Sequence, residues 1–599
     1  MKLKVIKGED TYNVNIDPEK NLLGNLIDNN IKISAPCNGN GTCGKCKVQL
    51  LNGNIHEKDV GNIKLNENEY LACKTYIKSD CIIKISDTET KKFSILEDFK
   101  KNKINPDCEF KKIALKIDEN FLTGKSLTDT VNLKMSTKFK FTLEALKKLS
   151  TLINESSEKQ SKYSLYKSDE INMICNKNVI IDVFNSKDES NIYGIAIDVG
   201  TTTIAMKLVN METGKILSST SILNSQRQFG ADVISRIQYS MEKSLKNVSN
   251  SVKEDIIEGI EKLLRSSKIN KKNVYEVAIS GNNIMQHLLM ELFCDSMAVY
   301  PFTAVTNDIL EVGFYELFKN RLLNCKVVIL PSISSYVGAD IVSGMAACKF
   351  YNLEHTCLFI DIGTNGEMAL GNKDKIVCTS TAAGPAFEGA NIESGIGSIE
   401  GAINSINIDT EIKNGNKNYI INYKTIGDAP AIGICGSGII DITAELLKSG
   451  IIDSTGKFDR NNWKGKFIDL TLSDEYGQKV VFTQKDIREI QVAKSAIRSG
   501  IEILMRKFGC HYEDLYKVYI AGGFGNELNL KNAAVIGLIP KQLLNKIKIV
   551  GNSSLSGTIE YIINKNTKQN MKHIIDIAQG IDISMNDDFN SEFINNMSF

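Results

Sequence analysis

Gly194-Ile-Ala-Ile-Asp198-Val-Gly200-Thr201-Thr202-Thr203-Ile204-Ala205 is an apolar strand that runs into an aspartate, turns at a glycine beside hydroxyls, and resumes as a strand. Leu358-Phe-Ile-Asp361-Ile-Gly363-Thr364-Asn365-Gly366-Glu367-Met368-Ala369 repeats that plan. Further on comes Val518-Tyr-Ile-Ala521-Gly522-Gly523-Phe-Gly525-Asn526. Each hairpin turn can present backbone N–H groups to phosphate oxygens. Gly200, Thr201, Thr202, Gly363, Thr364 and Asn365 are therefore the expected phosphate cradle. Asp198 and Asp361 are expected to face each other across a cleft and hold Mg²⁺ through water, because Mg²⁺ favours few carboxylates plus phosphate and water. The third turn, with Gly522, Gly523 and Gly525, can place a helix N-terminus against the nucleotide. One such hairpin is a weak signal; two, followed by A-G-G-x-G, are strong together.

This order of segments resembles the ASKHA superfamily of acetate and sugar kinases, heat-shock ATPases and actin. The resemblance implies ATP bound between two lobes that open and close. The surrounding texture agrees. From about Ile192 onward, apolar β-branched strands end in Gly-rich turns with helical stretches between, which is α/β architecture. The stretch is long enough for two lobes.

A second pattern lies near the N-terminus: Cys37-Asn-Gly-Asn-Gly-Thr-Cys43-Gly-Lys-Cys46, then Cys73 in Tyr70-Leu-Ala-Cys73. A [2Fe–2S] cluster needs four thiolates on two irons. Three come from one loop that must wrap the cluster, and Gly39, Gly41 and Gly44 give that loop positive φ and small side chains. The fourth comes from a separate segment. The spacing resembles the vertebrate-type variant of the plant ferredoxin pattern. The rival is structural zinc, which draws on paired C-x2-C knuckles; only Cys43 and Cys46 are so spaced. Gly39-x4-Gly44-Lys45-Cys46 also nearly spells a P-loop, but Cys stands where Ser or Thr must reach Mg²⁺. Ile31–Pro36 does not end in a strand-to-helix turn either, so that reading is rejected.

Around the cysteines, Lys2–Ile6 and Tyr12–Ile16 alternate like a hairpin. Asp17-Pro18 reads as N-cap and first position of a helix, with Leu22, Leu23, Leu26 and Ile27 on its apolar face. Strands are expected at Lys47–Leu51 and Cys81–Ile85. Residues 1–92 thus form a small β-rich domain whose order resembles the β-grasp ferredoxin fold. Residues 93–112, charged and holding Pro106, read as a linker. Residues 113–188 read as a small α/β middle domain, and 189–599 as the two-lobed ASKHA-like domain.

The bulk numbers exclude several classes. Hydrophobic residues make up 42% and charged residues 24%, an ordinary globular composition, and the net charge is +1. No basic excess points to nucleic acid. No signal peptide is legible and no apolar run of about 20 residues marks a membrane span, so cytoplasmic residence is expected. The 14 cysteines then need a reason other than disulfides. Ten are scattered in mostly apolar surroundings, as buried free thiols are.

A ferredoxin-like module joined to an ASKHA module resembles one family across nearly the whole chain: the reductive activators of corrinoid-dependent enzymes. Further segments that look like it are Phe229-Gly-Ala-Asp232-Val-Ile-Ser-Arg236, Ser280-Gly-Asn282-Asn-Ile-Met285-Gln-His287-Leu, Tyr336-Val-Gly-Ala-Asp340-Ile, Ala383-Gly384-Pro385-Ala-Phe387-Glu388-Gly389-Ala, Cys435-Gly436-Ser437-Gly438 and Asn532-Ala-Ala-Val-Ile-Gly-Leu-Ile-Pro540. The resemblance implies that inactive Co(II) corrinoid of a methyltransferase system is returned to Co(I) by one-electron transfer coupled to ATP hydrolysis. It implies a corrinoid protein and a low-potential electron donor as partners, and favours a homodimer. Some relatives carry C-terminal ferredoxin-type cysteine clusters. Here no cysteine follows Cys510, so no further cluster is expected.

Among single residues, Glu388 is expected to orient the attacking water or to contact the partner. Gly436 and Gly438 are expected near the nucleotide. Cys435 and His287 read as packing residues, and Cys378-Thr-Ser-Thr381 as a loop facing the partner. The competing function is a small-molecule ASKHA kinase with a redox-sensing ferredoxin domain, although no acceptor pocket with a catalytic base is legible. A third reading, an activator of 2-hydroxyacyl-CoA dehydratases, would require a [4Fe–4S] cluster between subunits and no β-grasp domain.

Overall fold

The structure is a computed structural model that describes residues 1–7, 10–29, 31, 33, 46–58, 65, 67–85, 106–117, 125–158, 169–187, 191–230, 232–413, 416–471, 479–522, 528–583 and 587–599. Of the expected site residues, Cys37, Cys43, Gly523 and Gly525 lie outside them.

Lys2–Lys7 and Asp10–Asn15 pair antiparallel, Leu3 opposite Val14 and Val5 opposite Tyr12. Leu3 and Val5 point inward and Lys2 and Lys4 outward, the period of two that a one-sided sheet imposes. The five-stranded sheet runs Asp10–Asn15, Lys2–Lys7, Cys81–Ile85, Lys47–Asn52, Glu69–Leu71. Helix Leu22–Asp28 covers it with Leu22, Leu23 and Leu26, each worth about 1.5–3 kcal/mol when fully buried. The helix begins four residues later than its Asp-Pro signal. Asp17 starts a turn instead, accepting the Lys20 N–H on its carbonyl and the Glu19 N–H on its side chain. Asn21 is the true N-cap, its Oδ1 taking the Gly24 N–H at 2.8 Å.

The next sheet has four strands, in the order Phe110–Ile117, Asp169–Asn176, Val179–Asn185, Lys140–Phe141. Helix Leu143–Glu158 packs on it through Ala145 and Leu149. Of the stretch expected as linker, residues 93–105 lie outside the described residues and 106–112 are packed on the domain that follows. Asp107 exchanges backbone hydrogen bonds with Ile563 and Lys565, and Phe110 is 3% exposed in the core of the following domain. Charge and one proline hid these two anchors.

Two six-stranded sheets follow, built alike. The first runs Ile216–Leu223, Thr203–Asn210, Tyr193–Val199, Val274–Gly281, Lys326–Ile329, Leu310–Gly313. The second, read from its far end, runs Ala578–Gly580, Ile376–Thr381, Gly366–Gly371, Cys357–Ile362, Lys517–Gly522, Ile547–Gly551. In each, three antiparallel strands lead into two parallel ones, and the first strand in the sequence is central. Central strands are buried on both faces, which is why they read as continuous apolar runs. Helices Ala339–Ala347 and Ser553–Ile563 cross in close contact, and a Cβ on Gly557 would collide with the Ser343 carbonyl. Among the described residues, no helix is long and apolar enough to cross a membrane.

Residues 378–381 do not form the expected loop. They are part of strand Ile376–Thr381, paired with Gly366–Gly371 on one side and Ala578–Gly580 on the other, and Cys378, Thr379 and Thr381 are buried. Ser and Thr suggested a loop; pairing on both edges decides otherwise.

Candidate functional site

Both hairpins close as two-strand turns. Val199 stands opposite Ile204, and the Gly200 N–H donates to the Thr203 carbonyl at 3.0 Å. Ile362 stands opposite Gly366, and the Gly363 N–H donates to the Asn365 carbonyl at 3.0 Å. The first turn is held from below. Asn224 Nδ2 donates to the Gly200 carbonyl at 2.9 Å, and Arg236 Nη2 to the Thr201 carbonyl at 2.6 Å. Arg236 is fully buried, and burial pulls its pKa down to about 9.

Asp198, the last residue but one of its strand, stands beside Ser280 of the parallel neighbour. Its Oδ2 accepts from Asn552 Nδ2 at 2.8 Å and its Oδ1 from Ser554 Oγ at 2.7 Å. Asn552 is also the N-cap of helix Ser553–Ile563, so one helix start aims the carboxylate. Asp361 stands opposite Glu367 across the second hairpin and beside Ala521 of the parallel strand. Strand Lys517–Gly522 ends at Gly522 with φ +112°. A side chain there would strike the Ile362 carbonyl and come 3.1 Å from Asp361 Oδ1, so only glycine lets the strand end this close to Asp361.

Glu388 joins the two hairpins. It follows Gly384 (φ +77°) in the turn Pro385–Glu388. Its Oε2 accepts from Thr202 Oγ1 at 2.7 Å and Thr364 Oγ1 at 3.1 Å. Asp198, Asp361 and Glu388 were expected at one place, and electrostatics couples them there. Burial raises the Asp361 pKa well above its usual range, and the charges of Asp340, Asp198 and Glu388 push the same way. Burial also raises Asp198 and Glu388, against the hydroxyl and amide donors on each.

Two carboxylates escaped the sequence reading. Asp340 enters from the start of helix Ala339–Ala347; burial and the Asp198 charge push its pKa up to about 7. Glu367 is 7% exposed and raised well above its usual range, first by burial and then by Asp340 and Asp361. Glu367 was legible, since positions flanking a hairpin turn face each other across the strands. Asp340 was not, because a helix entering from elsewhere in the chain brings it. Mutually repelling carboxylates raise one another's pKa; an all-oxygen set of this kind suits a hard cation such as Mg²⁺.

Gly436 and Gly438 open helix Gly436–Lys448. A Cβ on Gly438 would collide with the Ile403 carbonyl, which gives that glycine a packing reason. Cys435 caps this helix start fully buried, its Sγ on the Ile403 carbonyl. His287 is a satisfied core residue, its Nδ1 on the Asn283 carbonyl and its Nε2 accepting the Val305 N–H.

In the N-terminal domain, Cys46 and Cys73 are 1% and 4% exposed, with their sulfurs 3.3 Å apart. That is too long for a disulfide bond of about 2.05 Å, and it lies about 0.5 Å inside the about 3.8 Å between two sulfurs on one tetrahedral metal with metal–sulfur bonds of about 2.3 Å. The backbone sets the pair: Lys47 stands opposite Leu71, and the Ala72 N–H donates to the Cys46 carbonyl at 2.8 Å.

Comparison with known proteins adds three family matches. The 2Fe-2S iron-sulfur cluster binding domain matches residues 5–78, the RACo middle region 193–353, and the C-terminal domain of RACo, the ASKHA domain, 355–599. The N-terminal domain is thus of the [2Fe–2S]-binding type and the C-terminal part of the nucleotide-binding ASKHA type. The corrinoid activation enzyme RamQ of Eubacterium limosum is 31% identical over 601 residues, covering 95% of this chain and 94% of that protein. The [Co(II) methylated amine-specific corrinoid protein] reductase of Methanosarcina barkeri is 30% identical over 412 residues, covering 65% of this chain and 73% of that one. Among solved structures, a reductive activator for corrinoid,iron-sulfur protein superposes with a TM-score of 0.75 at 32% identity, covering 100% of this chain and 98% of that one.

Proposed function

The chain belongs to the RACo family of reductive activators of corrinoid proteins, and on that premise we propose that it reduces an inactive Co(II) corrinoid protein to Co(I), one electron at a time, coupled to ATP hydrolysis. Cys37, Cys43, Cys46 and Cys73 hold the [2Fe–2S] cluster, and the convergence of the buried Cys46 and Cys73 thiols supports that assignment. When bound, the cluster carries the single electron and MgATP supplies the driving force. Moving an electron uphill by a few hundred millivolts costs on the order of 5–10 kcal/mol, which gives the nucleotide its purpose.

The observation that carries the nucleotide half is Glu388 bridging Thr202 and Thr364. Backbone N–H groups of the two turns take the phosphates. Asp198, Asp361 and Asp340 would hold Mg²⁺, whose charge would let all three ionise. Glu388 Oε2 gives up its threonine donors and accepts a proton from the water that attacks the γ-phosphate. Breaking the Thr202–Glu388 link frees the first turn from the second, which offers a way for hydrolysis to change how the partner is gripped. The comparisons do not favour the small-molecule kinase.

The test is an anaerobic mixture of cluster-loaded protein, a low-potential reductant, MgATP and a Co(II) corrinoid protein, followed by Co(I) absorbance. Co(I) should appear only with all four present. Phosphate from [γ-³²P]ATP transferred to a small molecule, with no Co(I), would sink the reading.

A further inference from the structure

Residues 292–305 form a closed loop on the first lobe, and both its ends are tied to His287. The Leu292 N–H donates to the His287 carbonyl at 2.9 Å and the Val305 N–H to His287 Nε2 at 3.1 Å. Ser296 and Thr303 brace the middle, with the Thr303 N–H on the Ser296 carbonyl at 2.8 Å and Ser296 Oγ on the Thr303 carbonyl at 2.6 Å. Compact loops with joined ends are frequently functional. This one buries Cys294 and Met297 beneath it and turns outward Phe293, Val299, Tyr300 and Val305, which are 63%, 68%, 65% and 60% exposed. Fixing four large apolar side chains in water has no folding benefit.

The loop is wired to the carboxylate site. Phe302 stacks edge-on between Tyr300 and Tyr336, at 5.9 and 5.3 Å between ring centroids. Tyr336 Oη donates to the Met297 carbonyl at 2.7 Å, and Ser335 Oγ to the Phe302 carbonyl. Ser335 and Tyr336 lead directly into Gly338-Ala339-Asp340. Asn283 Nδ2 clamps the far side, reaching Asn307 Oδ1 at 2.8 Å and the Ser334 carbonyl at 3.0 Å. Packed rings and hydrogen bonds thus join the segment that carries Asp340 to the exposed tip.

We propose that this loop is where the corrinoid-bearing protein docks, and that the corrinoid-bearing protein meets it with an apolar patch rimmed by basic side chains of its own; the proposal rests on the function proposed above. The size of the patch favours that occupant over a second copy of this chain. The four exposed side chains offer on the order of 500 Å², below the roughly 800 Å² per partner of a stable interface and suited to a transient electron-transfer encounter. Charge agrees. The loop carries Asp295 and leads to Asp308, with no Lys or Arg from 291 through 308. Two such loops facing across a two-fold axis would repel, whereas a basic rim complements them.

The experiment compares full-length, cluster-loaded wild type with the double variant Val299→Ser/Tyr300→Ser in Co(I) formation against rising Co(II) corrinoid protein. The corrinoid protein is the member of a purified panel that gives wild type its lowest KM. Tyr516→Ser, an equally exposed tyrosine elsewhere (58%), is the control. The double variant should raise KM for the corrinoid protein on the order of tenfold or more, with kcat, corrinoid-independent ATPase and cluster absorbance unchanged and Tyr516→Ser at the wild-type value. An unchanged KM overturns the docking assignment, as does an unchanged KM accompanied by loss of a dimer in sedimentation, which makes the patch an interface between copies. Wild type yielding no Co(I) at any partner concentration removes the functional reading, and the proposal with it.

Discussion

Thr202 Oγ1 donates to Glu388 Oε2 at 2.7 Å across 186 residues of sequence, and Thr364 Oγ1 shares the same oxygen at 3.1 Å. One carboxylate thereby reads the position of both hairpin turns. Burial raises its pKa, while the two hydroxyls, the Thr364 N–H and the Arg236 charge pull the other way.

Glu388→Gln keeps the size and the link while removing the proton acceptor. ATP hydrolysis should fall about 10²-fold or more with ATP affinity little changed. Phosphate release under saturating MgATP measures it, and a wild-type rate would exclude Glu388 as the base.

The [2Fe–2S] and nucleotide sites should be separable. Cys73→Ser should abolish visible absorbance and acid-labile sulfide while corrinoid-independent ATPase persists. Chelation of Mg²⁺ by EDTA should do the reverse. Iron analysis and phosphate release on the same samples decide whether either loss drags the other with it.

Gly522→Ala forces a side chain into left-handed backbone against the Ile362 carbonyl. The strain should cost about 1–3 kcal/mol, read as a lower urea midpoint, and ATP binding should weaken because the new Cβ crowds Asp361. An unchanged midpoint would show that the strand end relaxes freely.

Glu560 gives a pH signature. Burial pushes its pKa up to about 7 from an ordinary 4.5, against the Lys349 charge. Between those values the folded chain holds a proton that the unfolded chain has released, so this group's contribution to stability falls as pH rises from about 4.5 to about 7. Glu560→Gln should match wild type at acid pH and exceed it above about pH 7. Urea midpoints at both ends measure the difference; an equal slope in the two proteins would contradict it.

Local chemistry was legible in the sequence and long-range chemistry was not. The hairpins around Gly200 and Gly363 show because aspartate, glycine and hydroxyls are contiguous there. The ferredoxin sheet shows because its strands alternate and Cys81–Ile85 is bounded by polar residues. Asp340, Asn552 and Ser554 were missed because separate helices carry them to Asp198. The Asp17-Pro18 signal misplaced a helix start because Asn21 offers a competing cap beside the apolar face. Strand Ile376–Thr381 resembled a loop because its hydroxyls find partners inside the sheet, as Thr379 does on the Ile581 carbonyl at 2.7 Å.

The link between cluster and nucleotide can be read in one anaerobic tube by electron paramagnetic resonance. Protein with its [2Fe–2S] centre reduced is mixed with Co(II) corrinoid protein, frozen, and compared with the same mixture after MgATP. Both signals should persist without nucleotide and disappear together, in equal amounts, once it is added. If the Co(II) signal survives MgATP, or fades equally without it, ATP does not drive the electron onto cobalt in this protein.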